Sequence, residues 1–280
     1  MRSAVGLAEG PDFAITAVTC RDDHTGWSEA EVRDDYRVVL VRRGRFRRRA
    51  DGACADVDPT LAYVGVPGQE EHFAHPAGGD TCTAVSLAPA LWRVVAGDGA
   101  RLRGPGVYVD ARLDLAHRRL LAAARDGDVE YRVTEELLGL LAIALRQVFA
   151  GSGAAGSAPA GSAPAGARRR GDDRSLVAAA REAIAAGDPA SEGLFPLAAM
   201  LGVSPYRLSR AFTRVLGVSL TRYRNRVRVG RALDRIAEGE SRLGDLAADL
   251  GFADQAHLCR TVRQHLGRTP TALRRLLAPS

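Results

Sequence analysis

The chain has 280 residues, 46% of them apolar and 26% charged, a size that predicts about two domains at roughly 150 residues each. That composition excludes a disordered polymer. No apolar run approaches the ~20 residues of a bilayer-spanning helix, so no membrane partner is expected. The first ten residues lack the apolar segment of a secretory signal, and a cytoplasmic location is expected. The formal charge of +6 is unevenly placed. Residues 1–150 carry 19 Arg against 22 acidic residues, a net of −3, while residues 151–280 carry 20 against 11, a net of +9. A basic half joined to an acidic half points to a polyanion as partner of the basic half. There is no lysine, so all 39 basic side chains are arginine and none titrates near neutrality.

Taken in chain order, residues 36–41 are short and β-branched, and Gly44 punctuates them before a charged continuation over 45–49. Residues 61–66 end at Pro67-Gly68, a turn signal. Residues 81–87 end at Pro89. Short strands at turn-bounded spacing predict a small antiparallel barrel or sandwich. Two helices are then expected. Over 113–125, Leu113, Ala116, Leu120 and Ala124 share a face. Over 131–149, Leu137, Leu138, Leu141, Leu145 and Val148 make a wide apolar stripe, which must bury against the barrel or a second subunit. Residues 151–166 contain the direct repeat GSAPA–GSAPA and are expected to be a mobile linker spanning roughly 20–25 Å.

Residues 171–280 read as all-helical, and they repeat. Leu197-Ala-Ala-Met-Leu-Gly202 matches Leu246-Ala-Ala-Asp-Leu-Gly251. Further along, Leu208 matches Leu258, Arg210 matches Arg260, Leu216-Gly217 matches Leu266-Gly267, and Arg224 matches Arg274. Each copy has the logic of a helix-turn-helix. A small pair, Ala198-Ala199 or Ala247-Ala248, admits a close second helix. Gly202 or Gly251 supplies the positive φ of the turn. Ser204 caps the next helix with Pro205 at its first position, and Asp254 caps the counterpart. Leu208 and Phe212 then point inward, leaving Tyr206, Arg207, Ser209 and Arg210 outside. In the second copy Leu258 and Val262 point inward, leaving Gln255, Ala256, His257, Cys259 and Arg260 outside. Exposed Arg and Gln near a helix N-terminus are the groups that read guanine and adenine edges.

Between the copies, residues 219–236 predict one serine-capped helix about 27 Å long at ~1.5 Å per residue. Successive major-groove faces on one side of DNA lie ~34 Å apart, so such a rod suits two reading heads. Between Glu192 and Asp234 there are eight arginines and no acid. Arg207, Arg214, Arg222, Arg224 and Arg274 are the expected phosphate contacts, with affinity from counterion release.

These motifs resemble the DNA-binding domain of the AraC/XylS family of bacterial transcription regulators. The second copy is the most specific part: Gly251-Phe-Ala-Asp-Gln-Ala-His-Leu-Cys-Arg260, then Leu266-Gly-Arg-Thr-Pro270 and Arg274. Two departures, Val262 for an aromatic and Ala272-Leu273 before Arg274, are packing changes. The resemblance implies base-facing positions at Tyr206, Ser209 and Arg210, and at Gln255, Ala256, His257, Cys259 and Arg260. The first domain resembles, less specifically, the family's cupin-like sensor, through Val39-Leu-Val-Arg-Arg-Gly44 and Pro67-Gly68. The expected fold class is α+β multidomain: an N-terminal cupin-like antiparallel β-barrel plus two helices, then an all-α tandem helix-turn-helix. The expected boundaries are 1–110 for the barrel, 111–150 for helices forming a possible dimer seam, 151–171 for the linker and 172–280 for the double helix-turn-helix. Implied partners are double-stranded DNA, a small-molecule effector, RNA polymerase and a second copy of the chain. No cofactor and no enzymatic activity are expected.

The alternative is a metal-dependent cupin enzyme, or a metal or thiol sensor, carrying a DNA-binding tail. Enzymatic cupins use an H-x-H pair, whereas Glu71-His72-Phe-Ala-His75 puts its histidines three apart, on opposite strand faces. Cys20, His24, His75 and Cys82 form a different candidate set, two thiolates and two imidazoles suited to zinc.

Overall fold

The computed structural model describes residues 1–21, 24–97, 106–150 and 163–277. The chain is α+β and divides into two compact units, Met1–Ala150 with Thr271–Ser280, and Gly151–Pro270.

Among its described residues the first unit has nine strands: β1 (Arg2–Gly10), β2 (Phe13–Cys20), β3 (Tyr36–Gly44), β4 (Phe46–Ala50), β5 (Ala53–Val57), β6 (Leu61–Gly65), β7 (Glu71–Ala74), β8 (Asp80–Leu87) and β9 (Val107–Tyr108). They form a six-stranded sheet, in the order β1-β2-β8-β3-β6-β9, and a three-stranded sheet, β5-β4-β7. Every pairing is antiparallel. The two sheets share an apolar interior of Val39, Val41, Phe46, Val57, Tyr63, Cys82 and Ala84. β4 shows how that interior is made. Phe46, Arg48 and Ala50 alternate inward as the pleat requires, and Arg47 and Arg49 lie outward over the Trp27 ring. Arg48 survives burial because it donates to Glu71 and Gln69 and lies 4.4 Å from the Tyr63 ring centre.

Three helices close the other face of the large sheet: α1 (Pro89–Ala96), α2 (Ala111–Asp126) and α3 (Thr134–Ala150). Their apolar sides join β-strand residues in one core with Trp92, Leu113, Leu120, Leu137, Leu141 and Leu145. Asp110 caps α2 by accepting from the Arg112 and Leu113 amides. His117, on α2, is buried against the Thr83 hydroxyl, and burial pulls its pKa down to about 4.

The stripe on α3 is an intrachain packing face. Leu137, Leu141 and Leu145 are consumed by the unit's own core, Val148 packs at its edge, and only Leu138 of that set is exposed. The helix starts later than expected, because a wide turn at Val129–Val133, capped by Asp128, precedes it.

The second unit is helical: α4 (Ala163–Ala186), a short 3-10 turn at Pro189–Glu192, α5 (Leu194–Met200), α6 (Pro205–Leu216), α7 (Leu220–Ala237), α8 (Leu243–Asp249) and α9 (Gln255–Leu266); α10 (Pro270–Leu277) follows. Residues 151–162 of the expected linker lie outside the described residues. Residues 163–171 of that segment are helical and belong to the start of α4. Alanine is the best helix former, and a proline in the first turn removes only an amide the helix leaves unpaired, so this composition serves a helix start as well as a linker.

Candidate nucleic-acid interface

The internal repeat is a structural repeat. In the first copy, α5 ends in a turn where Gly202 has φ of 65°, its amide donates to Ala199 O and that of Val203 to Ala198 O. In the second, α8 ends where Gly251 has φ of 69°, with Gly251 N donating to Ala248 O and Phe252 N to Ala247 O. The left-handed residue and the pair of back-bonds satisfy the last carbonyls of each first helix. The next helix of each copy is capped by a side chain: the Ser204 hydroxyl accepts from Arg207 N at 3.2 Å, the Asp254 carboxylate from His257 N at 2.6 Å. Both second helices end at a glycine, Gly217 or Gly267, bonded to the carbonyl four residues back.

Burial then sorts each second helix. Leu208, Ala211 and Phe212 face the core from α6, and Leu258, Thr261 and Val262 from α9. Tyr206, Arg207 and Arg210 are exposed and Ser209 half-buried on α6; Gln255, Ala256 and Arg260 are exposed and His257 and Cys259 half-buried on α9. The Arg210 guanidinium donates to the Tyr206 hydroxyl one turn away and lies over its ring. His257 is different in kind. Its ring meets Phe252 edge-on at 5.4 Å, and its Nδ1 accepts from the Ala253 amide at 3.3 Å, so it serves the turn itself.

α7 carries both copies. Its Ser219 cap accepts from Arg222 N, and its buried face presents Tyr223 to Phe212 of the first copy, with ring centres 5.1 Å apart. Toward the second copy, Arg228 lies over the Phe252 ring, and Arg235 pairs with Glu240 and Asp249. Burial, followed by the nearby guanidinium of Arg224, pulls the Arg228 pKa down.

The acid-free arginine run is therefore not one uniform surface. Arg214 pairs with the buried Asp173 of α4. Arg224 donates to the Glu192 carbonyl. Arg231 donates to Ile184 O and Ala185 O, carbonyls in the last turn of α4, where a cation is favoured. Arg226 is buried. Two of the expected phosphate contacts, Arg214 and Arg224, are thus tied to the protein itself. Arg207 and Arg222 remain exposed in the first turns of α6 and α7, where helix N-termini favour an anion. Arg274 lies on α10, in the stretch grouped with the other unit. The fastening roles of Arg228 and Arg231 left no signal in the sequence beyond arginine at the helical spacing of a buried face.

In the first unit, the structure brings together three of the four metal candidates. Donor atoms of Cys20, His24 and His75 all lie within 4.8 Å of one another. Cys82 is not in that group. It sits two residues from Asp80 on β8, hydrogen-bonded to it, and burial followed by the charge of Asp80 pushes its thiol up to about 12. His72 goes elsewhere, its ring nitrogens facing Ser28 O and Glu70, so it shares no site with His75.

Two helix-turn-helix motifs on one connecting helix define the second unit as a tandem helix-turn-helix domain. Comparisons place it further: a family described as "Helix-turn-helix domain" matches residues 197–276. That segment is an AraC/XylS-type helix-turn-helix domain. The chain is 29% identical over 73 residues, 26% of its length, to the bifunctional transcriptional activator/DNA repair enzyme AdaA of Bacillus subtilis (strain 168), and spans only 35% of that relative. It is similar to the C-terminal domain of AraT, a response regulator from Geobacillus stearothermophilus, with 26% identity, 38% of this chain and 88% of that one covered, and a TM-score of 0.35. It is also similar to apo ToxT from Vibrio cholerae, with 10% identity, 96% and 99% coverage, and a TM-score of 0.40. Among the described residues, no helix is long and apolar enough to cross a membrane.

Proposed function

We propose that the chain is a sequence-specific DNA-binding transcription regulator, not an enzyme. The observation that carries this reading is the pair of equally built helix-turn-helix motifs seated on α7, each with polar side chains exposed at the start of its second helix. Tyr206, Ser209 and Arg210 read one major-groove segment, and Gln255, Ala256, Cys259 and Arg260 the next, with His257 chiefly holding the turn. Arg207 and Arg222 bind phosphate and give affinity without selectivity. Working on a chromosome places the protein in the cytoplasm. The first unit senses a small effector and its signal reaches RNA polymerase through the bound domain. Two copies pair through the α3 side left open to solvent, which carries the exposed Leu138, together with the exposed Tyr131 of the wide turn before it.

The test begins with a duplex site selected from a random pool by the full-length chain. Binding to that site and to a scrambled one is then measured over a salt series. Arg210→Ala or Arg260→Ala is expected to cost ~1–3 kcal/mol on the selected site only, as for a lost bidentate contact to guanine. Arg222→Ala is expected to weaken both duplexes alike and to flatten the salt slope. Equal losses on both duplexes for Arg210→Ala would overturn its reading role, and failure to enrich any site would overturn the regulator.

A further inference from the structure

We propose that Cys20, His24 and His75 bind a single zinc-class divalent transition-metal ion, with Asp80 as the carboxylate that orients His75. The three donors come from separate pieces of chain: the end of β2, the loop after it, and the residue following β7. The backbone forces them together. Cys20 pairs directly with Asp80 across β2 and β8, and the His75 amide donates to the His24 carbonyl at 2.9 Å. The turn between His75 and Asp80 lies hard on β2. Gly79 has φ of 88°, and a Cβ there would stand 2.2 Å from Cys20 O, so only glycine lets the turn close.

The ring nitrogens make the case for a cation. His24 Nδ1 lies 3.0 Å from the Gly26 carbonyl, which only a donor satisfies, so Nδ1 holds the proton and Nε2 the lone pair. His75 Nε2 lies 3.1 Å from Asp80 Oδ1, a buried carboxylate oxygen with no hydrogen-bond partner among the described residues. A lone pair on Nε2 would face that negative charge at close range, so the proton is favoured on Nε2 and the lone pair on Nδ1. Yet His24 Nε2 and His75 Nδ1 face each other at 3.1 Å. Two lone pairs at that distance repel unless a shared proton or a metal ion answers both, and the Cys20 sulfur, a third donor within 4.8 Å, is what a metal uses and a shared proton does not. A carboxylate behind a ligating imidazole is the usual way a protein orients such a ligand. One sulfur and two imidazole nitrogens suit Zn2+ rather than Mg2+ or Ca2+, which take oxygen. Binding releases one proton, from the Cys20 thiol. His24 is exposed, so the fourth tetrahedral position opens toward solvent for water or a small ligand.

The test uses the full-length chain, stripped by chelation and titrated with Co2+ and then Zn2+. One equivalent of Co2+ is expected to give tetrahedral visible bands with a thiolate-to-metal charge-transfer band, all displaced by Zn2+. Cys20→Ser is expected to abolish the charge-transfer band, and Cys54→Ser and Cys82→Ser to keep it. Asp80→Asn is expected to keep the stoichiometry and weaken Zn2+ by ~10–100-fold. A readout without any variant guards against misfolding: one equivalent of Zn2+ slows alkylation of Cys20 and leaves that of the exposed Cys54 unchanged. The proposal is overturned by a charge-transfer band that survives Cys20→Ser or vanishes in Cys82→Ser. It is equally overturned if one equivalent of metal gives neither band nor protection, the result expected of two histidines that merely share a proton. None of these outcomes depends on DNA.

Discussion

The two helix-turn-helix copies are alike where the backbone leaves no choice and unlike where side chains are free to differ. Both have a left-handed glycine after the first helix, a capped second helix, a fully buried leucine at the same step (Leu208 or Leu258) and a terminal glycine. Their supports diverge. The first copy is buttressed by α4 through Asp173–Arg214 and meets α7 through two aromatic rings. The second leans on α7 through guanidiniums, Arg228 on Phe252 and Arg235 on Asp249. Duplication thus preserved the turn, which has one solution, while fastening and the outer face were free to drift into two.

The strongest test of this likeness is the shared core step. Leu208→Ala and Leu258→Ala are each expected to cost ~2–5 kcal/mol in denaturant unfolding, since both side chains are fully buried. A clearly smaller loss for one would mean that its copy collapses around the cavity. Next come the turn glycines. Gly202→Ala meets open space, so only its left-handed backbone opposes it, about 1–2 kcal/mol. Gly251→Ala carries the same strain and also puts a methyl 2.9 Å from Arg228 Nη2. It is expected to lower the melting temperature further, and Arg228→Ala in the same chain to remove the excess. The caps come third. Ser204→Ala and Asp254→Ala fall in the ~0.5–2 kcal/mol range for lost caps. Asp254 is expected to be the costlier, being a carboxylate facing the positive end of α9, and to lose part of that margin in high salt. Tyr206→Phe is the smallest change. It frees Arg210 from its hydroxyl partner and should shift affinity for a selected duplex by less than Arg210→Ala.

What could be read in advance follows from the same distinction. The turns were legible because Gly251, Ser204-Pro205 and Asp254 are residue types with few other uses. The β1–β2 hairpin was not: β1 is rich in Ala and Gly, which carry little β signal, although β2 holds Phe13, Ile15, Thr16, Val18 and Thr19 and did carry one. α1 was hidden because Pro89 both ends β8 and opens the helix at its first position. Nor could sequence tell the arginines apart. Arg207 and Arg231 are the same residue in the same acid-free run, yet one faces solvent and the other holds the last carbonyls of α4. At the cysteine-histidine cluster, spacing suggested Cys82, but strand register sets Asp80 opposite Cys20.

The single helix α7 has a further consequence. In an α-helix each residue adds ~1.5 Å of rise and ~100° of rotation. One inserted residue would barely lengthen the rod but would swing one motif about a third of a circle around the other. Four would nearly restore the bearing while adding a turn of length. The 18 residues of α7 therefore act as an angular setting more than as a ruler. Evolution of the spacing is then confined to steps of whole turns.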